Sequence, residues 1–146
     1  MPGQIEIAAA NDHFREQVIS LLRSENLPAD DLPPVLNHFF IAMDKNEVVG
    51  VIGLEQYENF GLLLSLVVSR NYRNEHIAGS LVHELETKAA MLGVDCMYLL
   101  TETAPDFFAK KGYEKINREN VPLPLQQSSE FSDVCPQTAI VMKKSL

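Results

Sequence analysis

Apolar residues change their spacing several times along the chain, and each change marks an element. Gln4 to Ala8 alternates weakly and reads as a first strand. Asn11 stands where a helix cap belongs, and Phe14, Val18, Leu21 and Leu22 then share one helical face that should end near Asn26, ahead of Pro28. Pro33 and Pro34 suit the first turn of a short second helix. Three extended runs follow, Phe39 to Met43, Val48 to Leu54 and Phe60 to Val68, joined by turns over Asp44–Asn46 and Glu55–Asn59. The third run, FGLLLSLVV, is almost continuously apolar, as expected of a central strand covered on both faces.

From Ala78 the period lengthens. Ala78, Val82, Leu85, Ala89 and Leu92 recur at helical steps, and Gly93 supplies the stop. DCMYLLT reads as another strand, Cys96 to Thr101. In TAPDFFAKKGY, Thr103 and Asp106 approximate a capping box, Pro105 fits a first turn and Gly112 ends the helix. Tyr113–Ile116 and Thr138–Lys143 read as the last strands, separated by a long loop over Asn117–Gln137. The order β-α-α-β-β-β-α-β-α-β-β predicts an α/β fold, a mixed twisted sheet of about seven strands with four helices, in which a right-handed crossover sets two strands parallel. A length of 146 residues suits a single domain over 1–146.

Charge narrows the partners. A formal net charge of −8 speaks against nucleic acid, whose phosphates need clustered Lys and Arg, and against an anionic membrane surface. No apolar run approaches the roughly 20 residues of a membrane span. The N-terminus also lacks a basic segment followed by an apolar one, so the expected setting is cytoplasmic. Cys96 and Cys135 are too few for a disulfide framework or a zinc spacing, and reduced thiols without a metal are the expectation. A homodimer is compatible with the sequence.

Candidate chemistry lies between the third extended run and the helix after it. In VVSRNYRNEHIAGSLV, the amides of Asn74 to Gly79 would gather at a helix N-terminus, where the macrodipole adds partial positive charge. Arg70 and Arg73 flank the turn, and Ala78, Gly79 and Ser80 keep the approach uncrowded. A phosphate group fits this arrangement. So does an ordinary strand–turn–helix connection.

The stretch LSLVVSRNYRNEHIAGSLVHELETKA resembles motif A of the GNAT acetyltransferase superfamily, in which Arg or Gln, two residues, Gly, one residue, then Gly or Ala open the helix that cradles the coenzyme A pyrophosphate. Arg73 takes the first position of that pattern and Ala78 the last, and DFFAKKGY resembles the family's F-Y-x-K-x-G-F signature. The resemblance implies a GNAT-like fold, acetyl-CoA as co-substrate, a small-molecule amine as acceptor, and direct transfer in a ternary complex. It implies that Leu66, Val67 and Val68 hold the pantetheine arm, while Arg73, Asn74, Glu75, His76, Ile77, Ala78, Gly79 and Ser80 wrap the pyrophosphate. Phe108 takes a coenzyme-side position where the family often carries a tyrosine that protonates the departing thiolate.

A narrower resemblance rests on VVGVIGLEQY, LLTETAPDFFAKKGYEKINRENVP and SSEFSDVCPQTAIVMKK. These look like the small N-acetyltransferases of arsenic-resistance gene clusters, which implies an amine acetyltransferase more firmly than any substrate and suggests a small, amino-acid-like acceptor. Cys135 alone makes a poor site for trivalent arsenic.

Two departures from the family pattern shape the expectations. His76 stands where motif A has its first glycine, which permits positive φ and close phosphate approach, so its imidazole must point away from the pocket or touch phosphate itself. Phe108 has no hydroxyl, which leaves water as the acid and forgoes a group commonly worth about 10²–10⁴-fold. A coenzyme-binding module without turnover is the alternative. For the general base the order of preference is Glu55, then Glu102, then His38, each of which also reads as a solvated strand-end or loop residue. The Phe107-Phe108 pair reads as core.

Overall fold

Two-residue turns fold the middle of the chain into a meander. In the computed structural model, which describes residues 5–25, 38–73, 76–101, 104–126 and 139–146, strand β2 (Phe39–Asp44) turns into β3 (Glu47–Tyr57) through Lys45 and Asn46. Strand β3 in turn passes into β4 (Phe60–Val68) through Glu58 and Asn59. Lys45 and Glu58 take φ of +58° and +57°, the left-handed conformation that tight hairpins demand. The remaining elements are β1 (Ile5–Ala9), α1 (Arg15–Ser24), α2 (Ile77–Met91), β5 (Cys96–Thr101), α3 (Pro105–Lys110), β6 (Glu114–Ile116), α4 (Leu123–Gln126) and β7 (Ile140–Ser145). The seven-stranded sheet has the order β1-β2-β3-β4-β5-β7-β6 and is mixed, with β4 and β5 parallel. The helix expected around Pro33 and Pro34 lies outside the described residues. Among those residues no helix is long and apolar enough to cross a membrane.

The chain divides into two compact units. The first comprises Met1–Leu54 with Ser65–Lys88. Here β1 pairs antiparallel with β2, and β2 with β3, so that Ile41 faces Val51 and Ala42 faces Gly50. Asn11 caps as expected: its side chain accepts the His13 amide at 2.8 Å and starts a 3-10 turn that leads into α1. Val18 and Leu22 of α1 are fully buried. On α2 the buried residues are Ile77, Leu81, Val82, Leu85 and Ala89, whereas Ala78 is only half-buried. The expected stripe is therefore rotated toward Ile77. Gly50 explains the rotation, because a Cβ there would stand 3.1 Å from Leu81 and 3.3 Å from Ile77, so the bare glycine lets the first turns of α2 settle close to β3.

The second unit comprises Glu55–Leu64 with Ala89–Leu146. Phe60, Gly61 and Leu62 pair in parallel with Cys96, Met97 and Tyr98, and β7 runs antiparallel between β5 and β6. Leu62, Tyr98, Val121, Leu125 and Val141 form its core, with Tyr57, Phe60 and Ile116 packed on it. Val121 and Leu125 belong to the stretch expected to be loop, where the chain instead makes the short helix α4. Ala104 holds the N-cap position and makes no side-chain cap, and its amide donates to Thr101 Oγ1 at 3.1 Å; Thr103 lies outside the described residues.

Candidate functional site

The turn between β4 and α2 is built from the strand outward. Ser65 takes a φ of +59° in the middle of β4, a left-handed break that re-aims the last residues of the strand. Beyond β4 the Ser69 amide donates to the Val49 carbonyl at 2.8 Å, and Arg70–Tyr72 close into a 3-10 turn. The Tyr72 hydroxyl donates to Asp44 Oδ2 at 2.6 Å, tying the turn to the end of β2. Arg73 Nε donates to the Val68 carbonyl at 3.3 Å, and its Nη2 pairs with Glu25, just past α1.

His76 then takes a φ of +62° and is exposed. Its carbonyl accepts the Ser80 amide at 3.1 Å, so the amides of Ile77, Ala78 and Gly79 precede that helical bond. The Ser80 hydroxyl donates to the same carbonyl at 3.1 Å. Ile77 is 3% exposed and belongs to the core. Ala78 and Gly79 are half-buried, and Leu66 likewise, while Val67 and Val68 are buried. Asn74 and Glu75 lie outside the described residues. Small side chains and a left-handed residue at the head of a 15-residue helix suit a diphosphate. Arg73 differs from expectation, since its guanidinium is engaged by protein groups.

Glu55 does not sit at the end of its strand. Strand β3 continues to Tyr57, and because residues two apart share a face, the Tyr57 hydroxyl donates to Glu55 Oε1 at 2.8 Å. The carboxylate is half-buried. Glu102 lies outside the described residues. His38 is half-buried, and its carbonyl accepts the Leu54 amide at 2.9 Å.

Phe108 is 5% exposed, edge-on to Phe107 at 5.0 Å and to Tyr113 at 5.7 Å. Phe108 is core, as its sequence suggested, whereas Phe107 is only half-buried. Tyr98 is buried beside Phe60, and burial, with Cys96 alongside, pushes its phenol up to about 12. A phenol that weakly acidic is poorly matched to general acid work near neutrality. Three features escaped sequence reasoning: Ser65 as the break in β4, Tyr57 as partner of Glu55, and Glu25 as partner of the two arginines. Only Ser65 left a trace, as the lone polar residue of an apolar run.

A sequence model of the acetyltransferase (GNAT) domain matches residues 36–115, more than half of the chain. The chain belongs to the GNAT acetyltransferase family. Among relatives of this GNAT protein, an uncharacterized N-acetyltransferase of Chlorobaculum tepidum is 31% identical over 88 residues, covering 60% of this chain and 56% of the relative. The amino-acid acetyltransferase of Mannheimia succiniciproducens is 26% identical over 125 residues, covering 84% of this chain and 27% of the relative. The chain thus spans about half and about a quarter of the lengths of these two relatives. Among solved structures, N-acetylglutamate synthase from Neisseria gonorrhoeae, complexed with coenzyme A and N-acetyl-glutamate, superposes with a TM-score of 0.84 at 15% identity, over 100% of this chain and 36% of that one. Rv2747 from Mycobacterium tuberculosis, solved in complex with CoA, gives 0.83 at 18% identity, over 97% of this chain and 99% of that one. At these identities the likeness establishes the fold.

Proposed function

We propose that the chain is an acetyl-CoA-dependent N-acetyltransferase that acts by direct transfer on the amine of a small, amino-acid-like molecule. The observation that carries this reading is His76, an L-residue holding left-handed main chain at the glycine position of motif A. With φ positive there, the amides of Ile77, Ala78 and Gly79 are presented together at the head of α2 to grip the diphosphate. The main chain of Leu66, Val67 and Val68, re-aimed by Ser65, orients the pantetheine arm. Bound acetyl-CoA supplies an activated acyl group as its thioester. Glu55, directly or through one water, takes the proton the amine sheds as nitrogen bonds the acyl carbon and the carbon–sulfur bond breaks. With Phe108 lacking a hydroxyl, solvent returns a proton to the leaving thiolate.

Support for an amino-acid-like acceptor comes from the amino-acid acetyltransferase that aligns with 84% of this chain, and from the sequence resemblance to acetyltransferases of arsenic-resistance clusters. A second reading has one observation in its favour. Phe108 is an inert core ring where the family often has an acid, which suits a module that binds coenzyme without turnover. A panel of amino acids and related amines, scored by thiol release and by mass for one added acetyl group, tests both. Release with at least one acceptor is expected. Tight acetyl-CoA binding with no release for any acceptor would favour the module.

A further inference from the structure

We propose that Glu25 is a positioning residue for the β4–α2 turn, acting through Arg73, which braces the turn as a fork instead of gripping the ligand. This inference rests on the reading of that turn as the coenzyme site. Three contacts carry it. Arg73 Nε donates to the Val68 carbonyl at 3.3 Å, Arg73 Nη2 pairs with Glu25 Oε1, and Arg70 Nε stands 3.4 Å from Glu25 Oε2. The Glu25 side chain is 15% exposed, against 51% for Arg73 and 77% for Arg70, so the carboxylate is the sheltered hub and the arginines reach in to it.

Glu25 occupies an awkward place for an acid. It is the C-cap of α1, where the negative end of the helix macrodipole opposes a carboxylate. Two guanidinium groups offset that opposition, and in exchange one planar group links the last residue of β4 to the end of α1. Val68 closes the strand proposed to carry the pantetheine arm, and Arg73 opens the turn proposed to hold the diphosphate. The fork therefore fixes the spacing between the two halves of the coenzyme site. A lysine has the same charge and lacks the fork, so it cannot serve both acceptors in this way.

The experiment is a double-mutant cycle with titration of CoA. Arg73→Lys and Glu25→Ala are each expected to weaken CoA about tenfold, and the double variant by no more than about twofold beyond either, because both remove one brace. In kinetics the loss should fall on KM for acetyl-CoA and not on kcat, a split that a general loss of stability would not produce. An Arg73→Lys variant that binds like wild type would show that charge alone matters and overturn the proposal. Independent effects that multiply, or tighter binding by Glu25→Ala, would overturn it as well. A wild-type chain that fails to bind CoA would overturn the coenzyme reading itself, an outcome distinct from the others.

Discussion

His76 holds left-handed main chain at the head of α2. Left-handed main chain costs an L-residue about 1–2 kcal/mol, and a histidine that tolerates it does the backbone work of the glycine it replaces. His76→Gly should therefore bind CoA at least as tightly as wild type, with a fold stability within about 1 kcal/mol, since relieved strain and added chain entropy nearly cancel. His76→Val, β-branched and disfavoured at positive φ, should lose at least about tenfold in CoA affinity by titration. Equal affinity for the valine variant would mean that the conformation does not matter. Glu55→Gln keeps the hydrogen bond from Tyr57 but cannot take a proton, so kcat should fall by about 10²–10⁴ with CoA affinity unchanged. A kcat within about twofold of wild type would remove Glu55 from the chemistry. Arg73 and His76 were both legible in the sequence as motif positions. The turn of Arg73's guanidinium toward Glu25 was not, because a partner 48 positions away leaves no mark on local spacing.

Elements were legible where a period repeats and obscure where one side chain decides. The strand β4 and the face of α2 follow from apolar spacing alone. The length of β3 does not: Glu55 and Tyr57 are polar or amphipathic, so their alternation looks like a turn until the left-handed Glu58 places the true corner. Helix α4 was hidden by Pro122 and Pro124, although Val121 and Leu125 fill the core beneath β5 and β7. Adding a hydroxyl to Phe108, which is 5% exposed between two rings, should lower stability by about 1–3 kcal/mol without raising turnover; a faster Phe108→Tyr enzyme of unchanged stability would contradict this. On β5, Tyr98 is held neutral to about pH 12 in the folded chain and ionises near 10 when unfolded. Its contribution, about 2–3 kcal/mol, is complete below pH 10 and fades as the pH climbs toward 12. Tyr98→Phe should lose less stability than wild type across that window in denaturant melts, and parallel losses would refute it.

At the scale of the whole molecule, family and fold were readable because motif A, the crossover and the order of elements agree with one another. The acceptor was not, because the residues that would choose it have no fixed spacing to recognise. A protein of net charge −8 can still hold an anion where main-chain donors converge, as proposed for the head of α2. Titration calorimetry of acetyl-CoA into the wild-type chain and into Ala78→Glu, which sets a carboxylate among those donors, is the deciding measurement. Saturable one-to-one binding by wild type, weakened at least about tenfold in the variant, is the predicted result. Wild type and variant binding alike, or neither binding at all, would contradict it.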